Sequence, residues 1–195
     1  MTSDICVLSK DNESLNALLS ETTKAASYAK LSKKEALRLR LLSEELVCML
    51  PELLDYSDGK FWIESDNKKF EIHVSLSPNS SLTMDKRENL IALSSDGKNA
   101  AAKGILTKIK LAAQFMLIDY EYVSTVSSGF YSFGFDNGIS IDTSLWSLNN
   151  YKNKVEKANE EEWDELEKSI IAQLADDVLV GVQEKKVEII VKKAF

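Results

Sequence analysis

Residues 33–54, KKEALRLRLLSEELVCMLPELL, constrain the fold more than any other stretch. Leu39, Leu42, Leu46, Met49, Leu50 and Leu53 recur at spacings of three and four, which sets them on one stripe of a helix. Ser32, followed three residues later by Glu35, has the spacing of a capping box. Arg38, Arg40, Ser43, Glu44 and Glu52 fall outside the stripe. Pro51 lacks an N–H and predicts a kink or an end in the last turn.

Upstream, residues 4–9 read as a short edge strand with Ile5 and Val7 inward. Residues 13–30 read as an amphipathic helix, with Leu15, Leu18, Leu19, Thr22, Ala25, Ala26 and Tyr28 near its apolar side. Downstream, 55–59 reads as a loop. Residues 60–65 and 69–77 read as a hairpin about Asp66-Asn67-Lys68. In the second strand Phe70, Ile72, Val74 and Leu76 alternate with Glu71, His73 and Ser75, so one face is buried and one is wet. His73 falls on the wet face and reads as a surface histidine.

Asp85 reads as the cap of a short helix over 86–94. A longer helix over 99–120 lines up Ile105, Ile109, Ala112, Ala113 and Met116. Gly104 inside it costs about 1 kcal/mol relative to alanine, which asks for a packing reason. Residues 121–145 are rich in Ser, Gly and aromatics and have no period; they read as a long loop with a short hairpin around 130–141. Residues 146–159 and 160–175 read as two more helices, the second acidic at its start, as the helix dipole favours. Strands at 177–183 and 186–193, joined by Glu184-Lys185, form a terminal antiparallel hairpin. We expect a single domain over 1–195, with 121–160 an insertion or variable region.

At 195 residues and 44% hydrophobic, the chain can build a proper core. A net charge of −7 argues against an extended nucleic-acid footprint and against attachment to anionic membrane. No apolar run approaches the roughly 18 residues of a spanning helix. MTSDICVLSK has no basic segment followed by a long apolar one, so we expect no secretory signal and a cytoplasmic protein. Cys6 and Cys48 then read as small buried hydrophobes. With one histidine, a zinc site or a histidine-based triad would need ligands or bases that this chain barely has, and none is expected.

The candidate chemical residues are few. Glu45 is either a catalytic base or a solvated or salt-bridged carboxylate, with Arg38 or Lys34 as its partner. Glu44 and Glu45 are adjacent on the helix and do not face each other. Gly97-Lys98 is either a phosphate contact or a plain helix-start turn. Asp176-Asp177 reads as a helix-to-strand turn. Phe130, Tyr131, Phe133, Phe135 and Trp146 form a dense aromatic set, either a loop packing its rings on its own core or a partner surface.

The element order, with SEELVCML on the central helix, resembles the ATPase fold shared by gyrase, histidine kinases and MutL, known as GHKL. Within it, the chain is most similar to the small anti-sigma-factor serine kinases. The resemblance implies an α+β, two-layer sandwich: a mixed, mostly antiparallel sheet covered on one face by helices, with the terminal hairpin beside the 60–77 hairpin. The family's central helix has the pattern V-x-E-A-x-x-N-A, whose Asn binds magnesium and whose Glu activates the attacking group. Laid on that pattern, Glu45 takes the acidic position and Met49 the Asn position. Where the family has an Asp-x-Gly-x-Gly box to read adenine, this chain has VSLSPNSSL, with no Asp and no Gly. Where it has a second glycine box, this chain has SSDGKNAAAKG, so that Gly97, Gly104, Lys98 and Lys103 take the phosphate-contact positions.

Methionine cannot ligate magnesium, which demands oxygen. A site that has lost a hydrogen-bond partner loses most of its discrimination. The resemblance therefore implies a non-catalytic regulatory or protein-interaction protein on an ATPase-like fold with degenerate nucleotide boxes and no cofactor. Its implied partners are a STAS-type antagonist domain, a sigma factor, or a second copy docked through the N-terminal helices. The alternative is an ATP- and magnesium-dependent serine/threonine protein kinase of the anti-sigma type. A third alternative is an unrelated α+β domain of the same element order.

Overall fold

The structure is a computed structural model that describes residues 1–8, 12–79, 105–125, 145–155 and 169–195. Six strands form one sheet: β1 (Cys6–Val7), β2 (Tyr56–Asp66), β3 (Lys69–Pro78), β4 (Leu145–Ser147), β5 (Asp177–Gln183) and β6 (Lys186–Ala194). Their spatial order is β1-β2-β3-β6-β5-β4, which puts the terminal hairpin beside the first one. Every pair is antiparallel, so among the described residues the sheet is not mixed. The described helices are α1 (Asn12–Tyr28), α2 (Lys33–Leu53), α3 (Ile105–Thr125), α4 (Leu148–Val155) and α5 (Ile170–Leu174).

The period-two pattern of the strands builds the core. Phe61 and Ile63 of β2, Phe70, Ile72, Val74 and Leu76 of β3, Val178 and Val180 of β5, and Val187, Ile189 and Val191 of β6 all point to one face and are buried. Helix stripes pack on that face: Leu18, Leu19, Ala25 and Ala26 from α1, Leu39, Leu42, Leu46, Leu50 and Leu53 from α2, and Ile105, Ile109, Ala113 and Leu117 from α3. The expected α1 stripe is correct except at its end, where Tyr28 is exposed. On α3 the buried position is Leu117, where the sequence pointed to Met116.

α2 starts as its sequence predicts. Ser32 Oγ accepts from Glu35 N–H, and Glu35 Oε2 accepts from Ser32 N–H at 2.6 Å. The other Glu35 oxygen meets Lys68 Nζ at 2.8 Å, tying the helix start to the β2–β3 turn. That ammonium first, and the Ser32 hydrogen bonds next, hold the Glu35 carboxyl at about 2, against an ordinary 4.5. A carboxyl lowered on folding stabilises the fold once ionised. Its contribution is therefore complete above about pH 4.5 and disappears as the pH falls toward 2. Glu35→Gln is expected to flatten the acid limb of a stability–pH curve over that window. Ser32→Ala is expected to cost about 1 kcal/mol, read from urea melts at neutral pH.

Several expectations are corrected. α2 ends in the turn that holds Pro51, as expected, though not at the proline: it runs two residues further, to Leu53, and Leu54 N–H reaches Leu50 O at 3.2 Å. Proline removes one hydrogen bond of the last turn, and the burial of Leu50 and Leu53 outweighs that loss. Ser43, off the leucine stripe, is fully buried. Its hydroxyl donates to Leu39 O at 3.1 Å and accepts from Thr22 Oγ1 of α1 at 3.3 Å, so both polar groups are satisfied at the helix crossing.

Residues 55–59 are not a loop, because β2 begins at Tyr56 and pairs with β3 as far as Pro78, with an irregularity between Tyr56 and Asp58. Turn-forming residues there are overridden by the ladder. In β1, Cys6 pairs with Phe61 and faces the core, which leaves Ile5 and Val7 outside at 62% and 64% exposure. A register one residue off the expected one reverses every side chain. Cys48 is exposed and Cys6 half-buried, so neither is the buried hydrophobe expected.

The terminal hairpin runs as predicted. Glu184 and Lys185 both have positive φ, 51° and 64°, which matches a two-residue type I′ turn. The expected helix over 86–94, the start of the 99–120 helix and most of the 121–145 loop and the 160–175 helix lie outside the described residues. Helix α3 runs on to Thr125, and residues 145–147 form a strand before α4.

Candidate functional site

Glu45 and Met49 stand one turn apart on α2. Both are half-buried, and Met49 packs against the hydrophobic core. Glu45 meets neither Arg38 nor Lys34. Its Oε1 accepts from Ser169 Oγ at 3.2 Å, and its Oε2 is buried with no hydrogen-bond partner among the described residues. Ser169 is the N-cap of α5: the same hydroxyl accepts from Ala172 N–H at 3.3 Å. The carboxylate thus sits in the crevice between α2 and the first turn of α5. The sequence could not pair these residues, because 124 positions separate them.

Of the other nucleotide-site candidates, Gly97, Lys98, Lys103 and Gly104 lie outside the described residues. So do the aromatics Phe130, Tyr131, Phe133 and Phe135. Trp146 is described. It pairs with the buried Val180, packs half-buried against the core, and lies 6.0 Å from the ring of Tyr151.

Asp176 and Asp177 form the junction into β5, as the sequence predicts, and each has a structural task. Asp176 accepts from Lys193 Nζ at 2.7 Å and from Ala194 N–H at 2.6 Å. Asp177 Oδ1 accepts from Asn149 N–H at 2.9 Å in the first turn of α4, and its carboxylate also takes the Ser147 hydroxyl. An acidic group is favourable at a helix start.

His73 is not a surface histidine. It lies on the sheet face opposite the helices but is only 9% exposed. Trp62 of β2, its direct cross-strand neighbour, stacks on it at 4.8 Å with the rings within 7° of parallel. Burial, the largest influence, lowers the His73 pKa, although the Glu64, Glu71 and Glu188 carboxylates push the other way. Burial thus favours the neutral imidazole. The signal in the sequence was the hairpin itself. Once the turn is placed at Asn67-Lys68, Trp62 must face His73 and Glu64 must face Glu71.

No helix among the described residues is long and apolar enough to cross a membrane. No family model matches the chain, and neither does any curated protein or solved structure.

Proposed function

We propose that this protein is a non-catalytic regulatory or interaction protein built on an ATPase-like fold whose nucleotide boxes have degenerated. The observation that carries the proposal is Met49. It stands one helical turn from Glu45, at the place where a magnesium-dependent ATPase of this kind needs an oxygen ligand, and its side chain packs into apolar surroundings. A thioether there neither binds magnesium nor leaves the metal its water shell. The strand after the first turn ends in Ser-Pro and is followed by Asn-Ser-Ser with no Asp-Gly box, so that segment offers the adenine amine no carboxylate acceptor. The terminal hairpin beside the β2–β3 hairpin is the arrangement the GHKL resemblance implies, whereas the all-antiparallel pairing of the described strands is not the mixed sheet it implies. The partner proposed is a protein, a STAS-type domain or a sigma factor by the same resemblance.

One observation favours the kinase alternative. The Oε2 of Glu45, buried and without a partner among the described residues, is what a carboxylate kept for phosphoryl transfer would present. Calorimetric titration of ATP and ADP, with and without magnesium, separates the two. The expected result is no heat at millimolar nucleotide under either condition. Magnesium-dependent binding in the micromolar range, with phosphoryl transfer abolished in Glu45→Ala, would replace this proposal with the kinase.

A further inference from the structure

We propose that the outer face of the β2–β3 hairpin is a binding site for a divalent transition-metal ion, best matched by zinc, with His73 Nε2 and carboxylate oxygens of Glu64 and Glu71 as ligands. The three side chains place ligand atoms within 4.8 Å of one another. Strand register puts them there. Glu64 and Glu71 are directly opposite across the hairpin, and His73 follows Glu71 by two positions on the same face. Like charges directly opposed destabilise a strand pair, and a cation between them reverses the sign of that interaction.

His73 supplies the second, independent observation. At 9% exposure its Nε2 has no hydrogen-bond partner among the described residues. The nearest carboxylate oxygen, Glu71 Oε2, is 3.5 Å away. That is longer than the roughly 2.7–3.2 Å of an N–H···O hydrogen bond. It does suit two ligands on one ion, since donors at about 2.0–2.1 Å from a tetrahedral zinc stand roughly 3.3 Å apart.

Neighbouring groups hold the ligands in place. Trp62 stacks on the imidazole, and its indole N–H donates to Glu64 Oε1 at 3.1 Å. Lys192 Nζ meets Glu71 Oε1 at 3.1 Å. Glu71 is oriented through Oε1 and turns Oε2 toward His73 Nε2, and Glu64 is oriented through Oε1, the kind of hold that outer-shell contacts give metal ligands. On the far side of the histidine, Glu188 is engaged by Ser75 Oγ at 2.7 Å. One imidazole with two carboxylates favours zinc over magnesium and calcium, which prefer all-oxygen sites, and water completes the coordination.

His73 is the single histidine of the sequence, so tag-free protein gives one set of imidazole NMR signals. Titration with zinc chloride, followed by calorimetry and by the imidazole ¹⁵N shifts, tests the site directly. The expected result is one ion per chain, with a large shift of the Nε2 resonance at saturation. Glu64→Gln, a change at an exposed side chain that leaves the fold intact, is expected to weaken binding by more than about tenfold, the least that loss of a metal-orienting group produces. His73→Phe keeps the stack on Trp62 and is expected to abolish binding. Zinc that binds without moving the His73 signals, for instance at the exposed Cys48, overturns the proposal. So does affinity unchanged in Glu64→Gln, or the absence of zinc binding altogether.

Discussion

Leu46→Ala is expected to lower the unfolding free energy by about 2–5 kcal/mol. Leu46 is fully buried at the middle of the α2 stripe, among the side chains that cover the sheet. Truncation removes the transfer free energy of the lost carbons and leaves a cavity that a rigid sheet cannot close. Against a total stability of about 5–15 kcal/mol for a domain, this is a large fraction. The matched control is Leu37→Ala on the same helix, where the side chain is 56% exposed. That change is expected to stay within about 0.5 kcal/mol. Urea melts of both variants read the difference. Equal losses would mean that α2 does not bury the face described.

Gly59→Ala is the second large effect, and it acts by crowding. Gly59 lies in β2 where β1 and β3 converge, and it accepts from Leu8 N–H at 2.8 Å. An added Cβ would stand 3.0 Å from Leu8 Cβ, 3.1 Å from Leu76 Cδ2 and 3.2 Å from Tyr56 Cε2. Three approaches this close cannot be relieved by one rotamer change, and Leu8 Cβ is fixed to its backbone. The expected cost is about 1–3 kcal/mol, the usual penalty for overpacking. Because the strain falls on the short β1 segment, hydrogen exchange at Leu8 is expected to accelerate more than exchange at β3 or β6. A variant with unchanged melting and unchanged exchange at Leu8 would place Gly59 in a looser setting than these distances describe.

The two glutamates of greatest interest differ in what a sequence can say of them. Glu35 was legible, because its role is local: Ser32 and Glu35 are three positions apart, and the capping box follows from that spacing. Its second partner, Lys68, was not, because it comes from a turn 33 positions away. Glu45 was legible only as a position on a helix. Its contact with Ser169 and the burial of its second oxygen depend on how α5 docks on α2.

Sequence alone determined the elements whose signal is periodic and local: the stripe of α2, most of α1, the β2–β3 hairpin and the terminal hairpin. In each, burial of one face agrees with the spacing of apolar residues, so propensity and packing point the same way. Tertiary structure decided the rest, and in each case a long-range contact outweighed a local preference. The ladder with β3 drew Tyr56–Gly59 into a strand against their turn-forming composition. One residue of register turned Ile5 and Val7 outward and Cys6 inward. Pairing with Thr22 made Ser43 a buried residue. Cross-strand stacking by Trp62 took His73 out of water on a face that alternation marks as wet, and placed its Nε2 beside two carboxylates. A strand's pattern tells which face a side chain takes, but the cover on that face comes from its neighbours, and they are set only when the sheet assembles.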